Sequence, residues 1–461
     1  MKVRLLNLAA IAAVATGSSV LAQQGGDELQ RALADLNNDV VAPAQGGVSA
    51  PQSSSLQISG DSRVRNTWHN PSGMANDQKN VDARLLVNFA FQVNESATAF
   101  VQLNAHENWG NTLPVVGTGS GGNTVVTGLM AGSRNQATGE LANLETLAIR
   151  QAYFTAEDVF GDGGTFKVGR SDFTFGSGRI IGTDYWDQNP ASYSGVWYNH
   201  GFEGVNLDAF MVSDSISAGG ANFQSGTVPG DVDLFGVRLG FVLEELPFLG
   251  NVELSPYWLR NSPQNNAPAL ANWFGAEASG SFEDAIDWNG EIVFLDSNAP
   301  GAPSMSDSNA WAIDVDINLG EWVSDLPGDL DPTLQVGIAA ADPTGITINP
   351  LYHNTAGLYD VSNRTPLGGA PTGAGGVWNG LADTWQVGLG FHPMEGWNGR
   401  VTWVNFNDQT GTGAYDATEL DVTLDTVLGS GVLGSLGWGW VDWDNLTKDA
   451  YIVYATVGLP F

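Results

Sequence analysis

The chain has no cysteine among its 461 residues, which excludes disulfides, thiolate metal sites and a cysteine nucleophile. Histidine is also scarce. The five histidines are scattered, and none has the spacing that metal ligands require. The sequence therefore predicts neither a metal site nor another cofactor.

Basic residues are few as well. Against 50 Asp and Glu there are only 17 Lys and Arg, and the net charge is −33 at pH 7. Nucleic-acid binding needs a basic surface, so a nucleic-acid partner is not expected. Charged residues of both signs make up 15% of the chain, whereas a soluble domain usually carries about 25%.

Long apolar runs are missing too. The run from Leu5 to Val14 is shorter than the roughly 20 residues that a transmembrane helix needs. It follows Lys2 and Arg4 and precedes a small-residue site at Ala22, so we predict a secretory signal peptide over residues 1–22, cleaved near Ala22. Backbone groups in lipid must pair internally, so a membrane protein lacking apolar helices has to be a closed barrel.

A polar leader over residues 23–55 follows the signal peptide. Residues 27–36 have leucines spaced for a short helix, and residues 42–55 are rich in Pro, Gly, Ser and Gln, a composition typical of linkers. We interpret the leader as a periplasmic tether. A partner-binding helix over residues 27–36 is the alternative.

From residue 56 onward, apolar and polar residues alternate. In the stretch 82–93, Val87 and Phe89 belong to an apolar face that we expect to contact lipid, and the opposite face is polar. Similar stretches recur to the end of the chain, one of them over residues 164–173. The connections between them are alternately short and long. We predict an all-β fold: a transmembrane antiparallel up-and-down barrel over residues 56–461, with about 18 strands (16 would also fit), short periplasmic turns and long external loops.

The last stretch, 450–461, alternates without interruption and stops at a phenylalanine. It resembles the closing strand of bacterial outer-membrane barrels, where such a terminus also serves as the assembly signal. We therefore expect Tyr451, Leu459 and Phe461 to form that signal. The expected location is the outer membrane of a Gram-negative-type bacterium, and the expected partners are its lipid and the barrel-assembly machinery.

A family resemblance lies between Leu147 and Met211. The motif residues that carry it include Gly169, Arg170, Gly178, Arg179, Gly182 and Trp186. Together with the run 150–153 and, near the end of the chain, the run 418–421, they resemble the alginate-export family of outer-membrane barrels. The resemblance implies an 18-stranded barrel through which a polyuronate or another solute crosses the outer membrane. It also implies a densely basic lumen, whereas this chain keeps only 15 Lys and Arg after signal cleavage.

Charge is distributed unevenly along the chain. Nine of those 15 basic residues lie between Arg63 and Arg179, whereas residues 180–461 hold 35 acids and five bases. Strands adjacent in sequence are neighbours around a barrel, so we expect a mixed or basic wall opposite an acidic one, as in a charge-lined aqueous pore. The predicted pore-lining residues are Arg63, Arg65, Arg84, Arg150, Lys167, Arg170, Arg179, Arg238, Asp314, Asp316, Glu419 and Asp421. Arg170 is out of phase with Lys167 and needs a bulge or a strand end to face inward.

These features predict a porin-like channel that passes small polar solutes or saccharides passively. Export of an anionic polysaccharide such as alginate is the alternative within the same class. Carboxylate pairs such as Asp314 with Asp316 could in principle serve a barrel hydrolase, and the long loops could serve an adhesin. In so acidic a chain, such pairs are expected by chance, so we do not predict an enzyme.

Overall fold

The computed structural model describes a barrel wall and part of its loops. The described residues are 55–70, 78–108, 115–118, 124–127, 146–161, 163–181, 192–214, 232–246, 250–263, 270–282, 285–298, 308–321, 330–342, 382–413, 416–428, 431–444 and 449–461. The predicted signal peptide, the tether up to residue 54, and the motif residues Gly182 and Trp186 lie outside them.

The alternating stretches form one closed sheet of 18 strands. Each strand is antiparallel to its neighbours in the wall, and the first pairs with the last in a register that runs from Asp61 opposite Pro460 to Asn70 opposite Tyr451. The predicted all-β barrel is thus confirmed, with 18 strands rather than 16. No helix within the described part of the chain is long and apolar enough to cross a membrane.

Two further short strands, β4 and β5, pair only with each other, in the connection between β3 and β6. In chain order the strands are β1 (Leu56–Asn70), β2 (Gln78–Asn94), β3 (Ala97–Asn108), β4 (Val115–Thr118), β5 (Thr124–Thr127), β6 (Thr146–Glu157), β7 (Thr165–Ser171), β8 (Tyr193–Phe202), β9 (Val205–Asp214), β10 (Val232–Leu246), β11 (Gly250–Pro263), β12 (Leu270–Phe282), β13 (Ile286–Asn298), β14 (Ser308–Asn318), β15 (Thr333–Ala341), β16 (Ala382–Met394), β17 (Trp397–Asp408), β18 (Ala417–Val427), β19 (Leu433–Trp443) and β20 (Ala450–Pro460).

The connections define two rims. On the turn rim, β2 and β3 are separated by two residues, and so are β8 and β9 and likewise β16 and β17. A longer connection there, between β14 and β15, begins with a 3-10 turn over Leu319–Glu321. On the loop rim, the connections include residues 109–145, 215–231 and 342–381. Both ends of the barrel sequence lie on the turn rim.

The outward face is apolar. Ile313, Ile338 and Leu389 are between 44% and 50% exposed, as expected for side chains that meet lipid rather than a protein core. Val87 and Phe89 have the outward phase but are only 2% and 3% exposed, so the expectation that they contact lipid is wrong. Both residues are on β2, one strand away from the seam between β1 and β20, where the Phe461 ring covers Gly60, the residue opposite Val87.

The inward face differs between the two rims. Near the loop rim it carries buried apolar side chains, including Trp273, Leu295, Phe406, Trp443 and Ile452. Further toward the turn rim it is polar, and many of its charged side chains are buried against one another. A polar section of lumen therefore lies below an apolar one.

Candidate functional site

A hairpin leaves the wall directly after β7 and folds into the lumen. In this segment, residues 172–181, the Phe175 N–H donates to the Ile181 carbonyl (3.0 Å) and the Gly178 N–H to the Phe175 carbonyl (2.9 Å). Gly176 and Gly178 supply the positive φ angles of the turn, 57° and 81°. We call residues 172–181 the finger.

The tip of the finger reaches β13 and β14, which lie six and seven strands further around the wall from β7. The Arg179 guanidinium donates to Glu291 Oε2 (3.2 Å), to Asn289 Oδ1 (2.8 Å) and to Asp314 Oδ2. In an 18-stranded barrel, such contacts require the finger to cross the lumen.

Two more contacts hold the tip against the same wall. The Ser177 N–H donates to Glu277 Oε1, and the Ser177 hydroxyl donates to Glu291 Oε2. The Tyr257 hydroxyl donates to the other oxygen of Glu291 (2.6 Å). A Cβ at Gly176 would clash with the Glu277 carboxylate, so a larger residue here would push this side chain away from the Ser177 N–H.

Arg238 extends the network along the wall. Its Nε lies 3.0 Å from Glu277 Oε2, Nη1 lies 3.2 Å from Asp208 Oδ2, and Nη2 lies 3.3 Å from Glu253 Oε1. We call Asp208, Glu253, Glu277, Glu291 and Asp314 the acidic wall. Arg179 and Arg238 are bound to it and neutralise part of its charge.

The side chain of Arg179 is only 4% exposed, which lowers the pKa of its guanidinium by desolvation. The carboxylates of Glu291 and Asp314 act in the opposite direction and prevail, so the pKa of Arg179 is raised. Arg179 is therefore charged at every physiological pH, and the charge holds the tip in place.

The base of the finger is bound to β6. Asp172 accepts from Arg150 Nη2 and from Gln151 Nε2 (3.1 Å), and its own N–H donates to Gln151 Oε1 (3.1 Å). Arg150 and Gln151 can both point inward because the register between β3 and β6 shifts at this point, with Gln102 opposite Gln151 but Leu103 opposite Ile149. The extra residue of this β-bulge is Arg150.

Three more arginines lie on β1 and β2, close to Arg150 along the wall. Arg65 Nε lies 3.0 Å from Asp82 Oδ2, Arg63 Nη2 lies 3.9 Å from Asp82 Oδ1, and Arg84 Nη2 lies 3.4 Å from Asp61 Oδ1. We call Arg63, Arg65, Arg84 and Arg150 the basic wall. The finger thus joins the basic wall at its base to the acidic wall at its tip.

Comparison with known proteins identifies the family of this barrel. A family model described as alginate export matches residues 55–355, about two thirds of the chain. The chain belongs to the alginate export family. No curated protein matches it.

Solved structures similar to this alginate export family member are outer-membrane porins of Pseudomonas aeruginosa. OccK5 (OpdH) is 11% identical, with a TM-score of 0.55 over 88% of this chain and 98% of that one. OpdK, solved with vanillate, is 11% identical, with a TM-score of 0.54 over 88% and 98%. OprD is 12% identical, with a TM-score of 0.53 over 88% and 95%. At these identities the likeness concerns the fold, which is that of a porin-like outer-membrane barrel.

The other two basic residues predicted for the pore lie beside the finger. Lys167 is on the inward phase of β7, with its ammonium 4.8 Å from the Trp197 ring centroid and 5.1 Å from that of Tyr153. Arg170 has the opposite phase, and its Nε donates to Ser192 Oγ (2.7 Å). Gly169, with φ 131°, lies between them where the backbone approaches Ala152. Lys167 therefore belongs to the lumen surface beside the basic wall, whereas Arg170 is bound to Ser192, directly before β8.

The remaining predicted acids lie on the inner surface away from the finger tip. Glu419 and Asp421 are buried on β18, opposite Val404 and Thr402 of β17. Asp316 is on β14, two residues beyond the finger contact Asp314 and opposite Gln335. The twelve predicted residues thus lie on several strands and in the finger. Four of them come together at the finger and its contacts: Arg150, Arg179, Arg238 and Asp314.

Several residues that contact the finger or its partners were not predicted as site residues: Gln102, Gln151, Asp172, Ser177, Asp208, Glu253, Glu277 and Asn289. Those on the barrel strands occupy polar positions in the alternating pattern, and this pattern could have identified them as facing the lumen. Within the described ranges, no group of three His, Asp or Glu residues is placed to hold a metal ion.

Proposed function

We propose that this outer-membrane channel passes small polar solutes or saccharides passively through a constriction formed by the finger and the two charged walls. The observation that carries the proposal is the finger itself, which crosses the lumen and is held at both ends by ion pairs. A segment that is fixed at both ends narrows the aqueous path, and it cannot swing about a hinge to close that path.

The arrangement of charge supports polar cargo. Guanidinium groups lie on β1, β2 and β6, and carboxylates lie on β9 and β11 to β14 across the lumen. A field directed across a narrow, low-dielectric passage orients dipolar solutes and disfavours apolar ones. Saccharide hydroxyls can also exchange hydrogen bonds with both walls.

Planar-bilayer recording of the purified barrel tests the proposal. We expect discrete openings, a linear current–voltage relation and a reversal potential that favours K⁺ over Cl⁻ at low salt, because acids outnumber bases. Proteoliposomes should also swell in neutral mono- and disaccharides. Absence of conductance and of swelling in folded protein would contradict the proposal.

Export of an anionic polysaccharide is the second candidate. It is favoured by membership in the alginate export family and by the basic wall, whose arginines could attract uronate carboxylates. A Cl⁻ preference, together with block of the current by micromolar oligouronate, would favour this candidate over the first.

We further propose that residues 1–22 direct export of the chain, that residues 23–55 form a periplasmic tether, and that the barrel-assembly machinery recognises β20 through its terminal Phe461. The family and the similar structures are channels rather than enzymes. In the finger network, Glu277 and Glu291 are engaged by Arg238 and Arg179, which argues against a hydrolytic carboxylate pair there.

A further inference from the structure

The outer surface of the wall carries a groove across β8 to β11. Its volume is about 610 Å³. Its lining residues are Val196, Tyr198, Ala209, Phe210, Met211, Phe235, Gly236, Val237, Trp258 and Arg260. Arg260 is the one charged residue in this lining.

The register shows that the groove faces outward. Val196, Met211, Phe235 and Arg260 are aligned across the four strands, and so are Tyr198, Ala209, Val237 and Trp258. Met211 is 47% exposed, and Arg260 is exposed too, whereas residues of the opposite phase such as Val212 and Leu259 are buried inside. The small side chain of Ala209, between Tyr198 and Val237, leaves the depression.

Arg260 lies near the loop rim, three residues before the end of β11. Long loops face the cell exterior in outer-membrane barrels, so this level corresponds to the outer leaflet. Polar residues continue the row of Arg260, with Asn272 opposite it on β12 and Asp296 opposite Asn272 on β13. Trp258 donates to Asn272 Oδ1 (3.3 Å), as expected for an indole at the membrane–water interface.

Arg260 is one of only five basic residues among residues 180–461, which hold 35 acids, and yet it faces outward. Within the described part of the chain, Arg260 forms neither an ion pair nor a hydrogen bond. An arginine on the lipid face costs about 2–4 kcal/mol at the midplane but about 0–1 kcal/mol near the interface. A planar guanidinium there can bind a phosphate group in a bidentate manner.

We propose that this groove is a binding site for a phosphate-bearing glycolipid of the outer leaflet. An acyl chain fills the depression over Ala209 and lies against Tyr198, Phe235 and Trp258. Arg260 binds the phosphate of the headgroup at the level of the interface. The charge of the lipid is complementary to Arg260, whereas a second copy of this chain would bring a further net charge of −33.

Titration of the purified mature protein with hexa-acylated diphosphoryl lipid A tests the site, with bound lipid counted by native mass spectrometry. We expect Arg260→Gln to weaken binding about tenfold, the size of one charge-assisted hydrogen-bonded contact. Ala209→Trp fills the groove and should weaken binding to a similar degree while Arg260 is intact. Lys79→Gln is the matched control, because Lys79 is also an exposed cation near the loop rim but lies over the Trp68 ring (5.0 Å) and is not among the residues that line this groove.

The mobility shift between heated and unheated samples on gels confirms folding, and Ala209→Leu replaces Ala209→Trp if the latter does not fold. Equal lipid A binding by wild type, Arg260→Gln and the groove-filling variant would overturn the proposal. Competition by millimolar inorganic phosphate as strong as that by lipid A would also overturn it, since the site would then recognise free phosphate. Loss of a dimer rather than of lipid in the groove-filling variant would show that a second copy occupies the groove.

Discussion

At the scale of single residues, Arg179 carries the largest share of the finger contact. Its guanidinium bridges Glu291 and Asp314 while almost fully buried. Removing one partner of a buried ion pair costs about 3–5 kcal/mol, because the other charges are left uncompensated. That amount is enough to loosen the tip of the finger, while its base stays packed through the Phe173 and Phe175 rings, whose centroids lie 4.4 and 5.2 Å from that of Phe210.

We therefore expect Arg179→Gln to free the tip of the finger, raise single-channel conductance and increase open-channel noise, as measured in planar bilayers. Arg170→Gln is the control, since Arg170 is close in sequence but binds Ser192 instead of the acidic wall. Identical conductance and noise in wild type and Arg179→Gln would show that the finger does not limit the passage.

Neighbouring residues on one strand test which face meets lipid. Val387, in the middle of β16, is 38% exposed on the outward face, and Gln386 points inward with its amide 3.5 Å from Asp314. Val387→Arg should destabilise the barrel by about 2–4 kcal/mol in denaturant titrations from liposomes. Gln386→Arg should be tolerated, because it adds a cation beside a carboxylate. Equal loss of stability in both variants would reverse the facing of the strand.

At the scale of elements, the finger depends on a glycine. Gly176 combines a positive φ with a close approach to Glu277, so Gly176→Ala should displace the tip and raise conductance in bilayers. Gly204→Ala is the matched control. Gly204 also has a positive φ, 75°, but no atom lies within 4 Å of its would-be Cβ. If both variants change conductance alike, backbone strain rather than the contact with Glu277 is responsible.

The closing strand is the second element with a specific test. The Phe461 N–H and carbonyl pair with Gly60 (3.0 and 2.8 Å), and the phenyl ring lies over that glycine. Deleting Phe461 removes these contacts and the predicted assembly signal, so we expect unfolded, protease-sensitive protein in the periplasm. Phe461→Tyr, which keeps the ring, should assemble. Normal outer-membrane levels of the deletion variant, measured in membrane fractions, would rule out this role.

Whether the sequence predicted an element depends on the surroundings of its two faces. Strands with lipid on one side and water on the other alternate strictly, so their number and approximate bounds could be predicted. The strand predicted over residues 164–173 ends at Ser171, because Asp172 and Phe173 already belong to the finger. The bulge at Arg150 adds one residue without any mark in the sequence.

The apolar section of the lumen could not be predicted either. On β13, Ile292 and Phe294 face outward and Val293 and Leu295 face inward, so both phases are apolar. Alternation separates the two faces only where the inner one is polar. The finger contacts were missed for another reason: they join residues more than 100 positions apart, and no local pattern records such pairs.

At the scale of the whole molecule, charge along the chain becomes charge around the wall, because consecutive strands are neighbours. Arginines from the first strands face carboxylates from β9 to β14. In an up-and-down barrel, the order of charges along the chain is therefore also their order around the wall. For this reason, counting charges along this sequence predicts where they lie in space.

The excess of acids predicts a K⁺ preference that fades as salt rises, because the Debye length falls from about 30 Å at 0.01 M to about 3 Å at 1 M. Replacing Arg84 and Lys167 together by Gln should strengthen this preference, as measured by reversal potentials under a KCl gradient. Replacing the outward cation Arg260 by Gln serves as the control. An anion preference in the wild type would show that the basic wall dominates the passage.

The seam between β1 and β20 has a consequence for how the molecule is made. Gly60 pairs with Phe461, about 400 residues later, so the ring of strands cannot close before β20 has been made and exported. Until then both edges expose unpaired backbone groups, which favour aggregation and cannot enter lipid alone. Spontaneous folding through such distant contacts is slow. We therefore expect the unclosed chain to aggregate unless its two edges are kept from pairing with other chains.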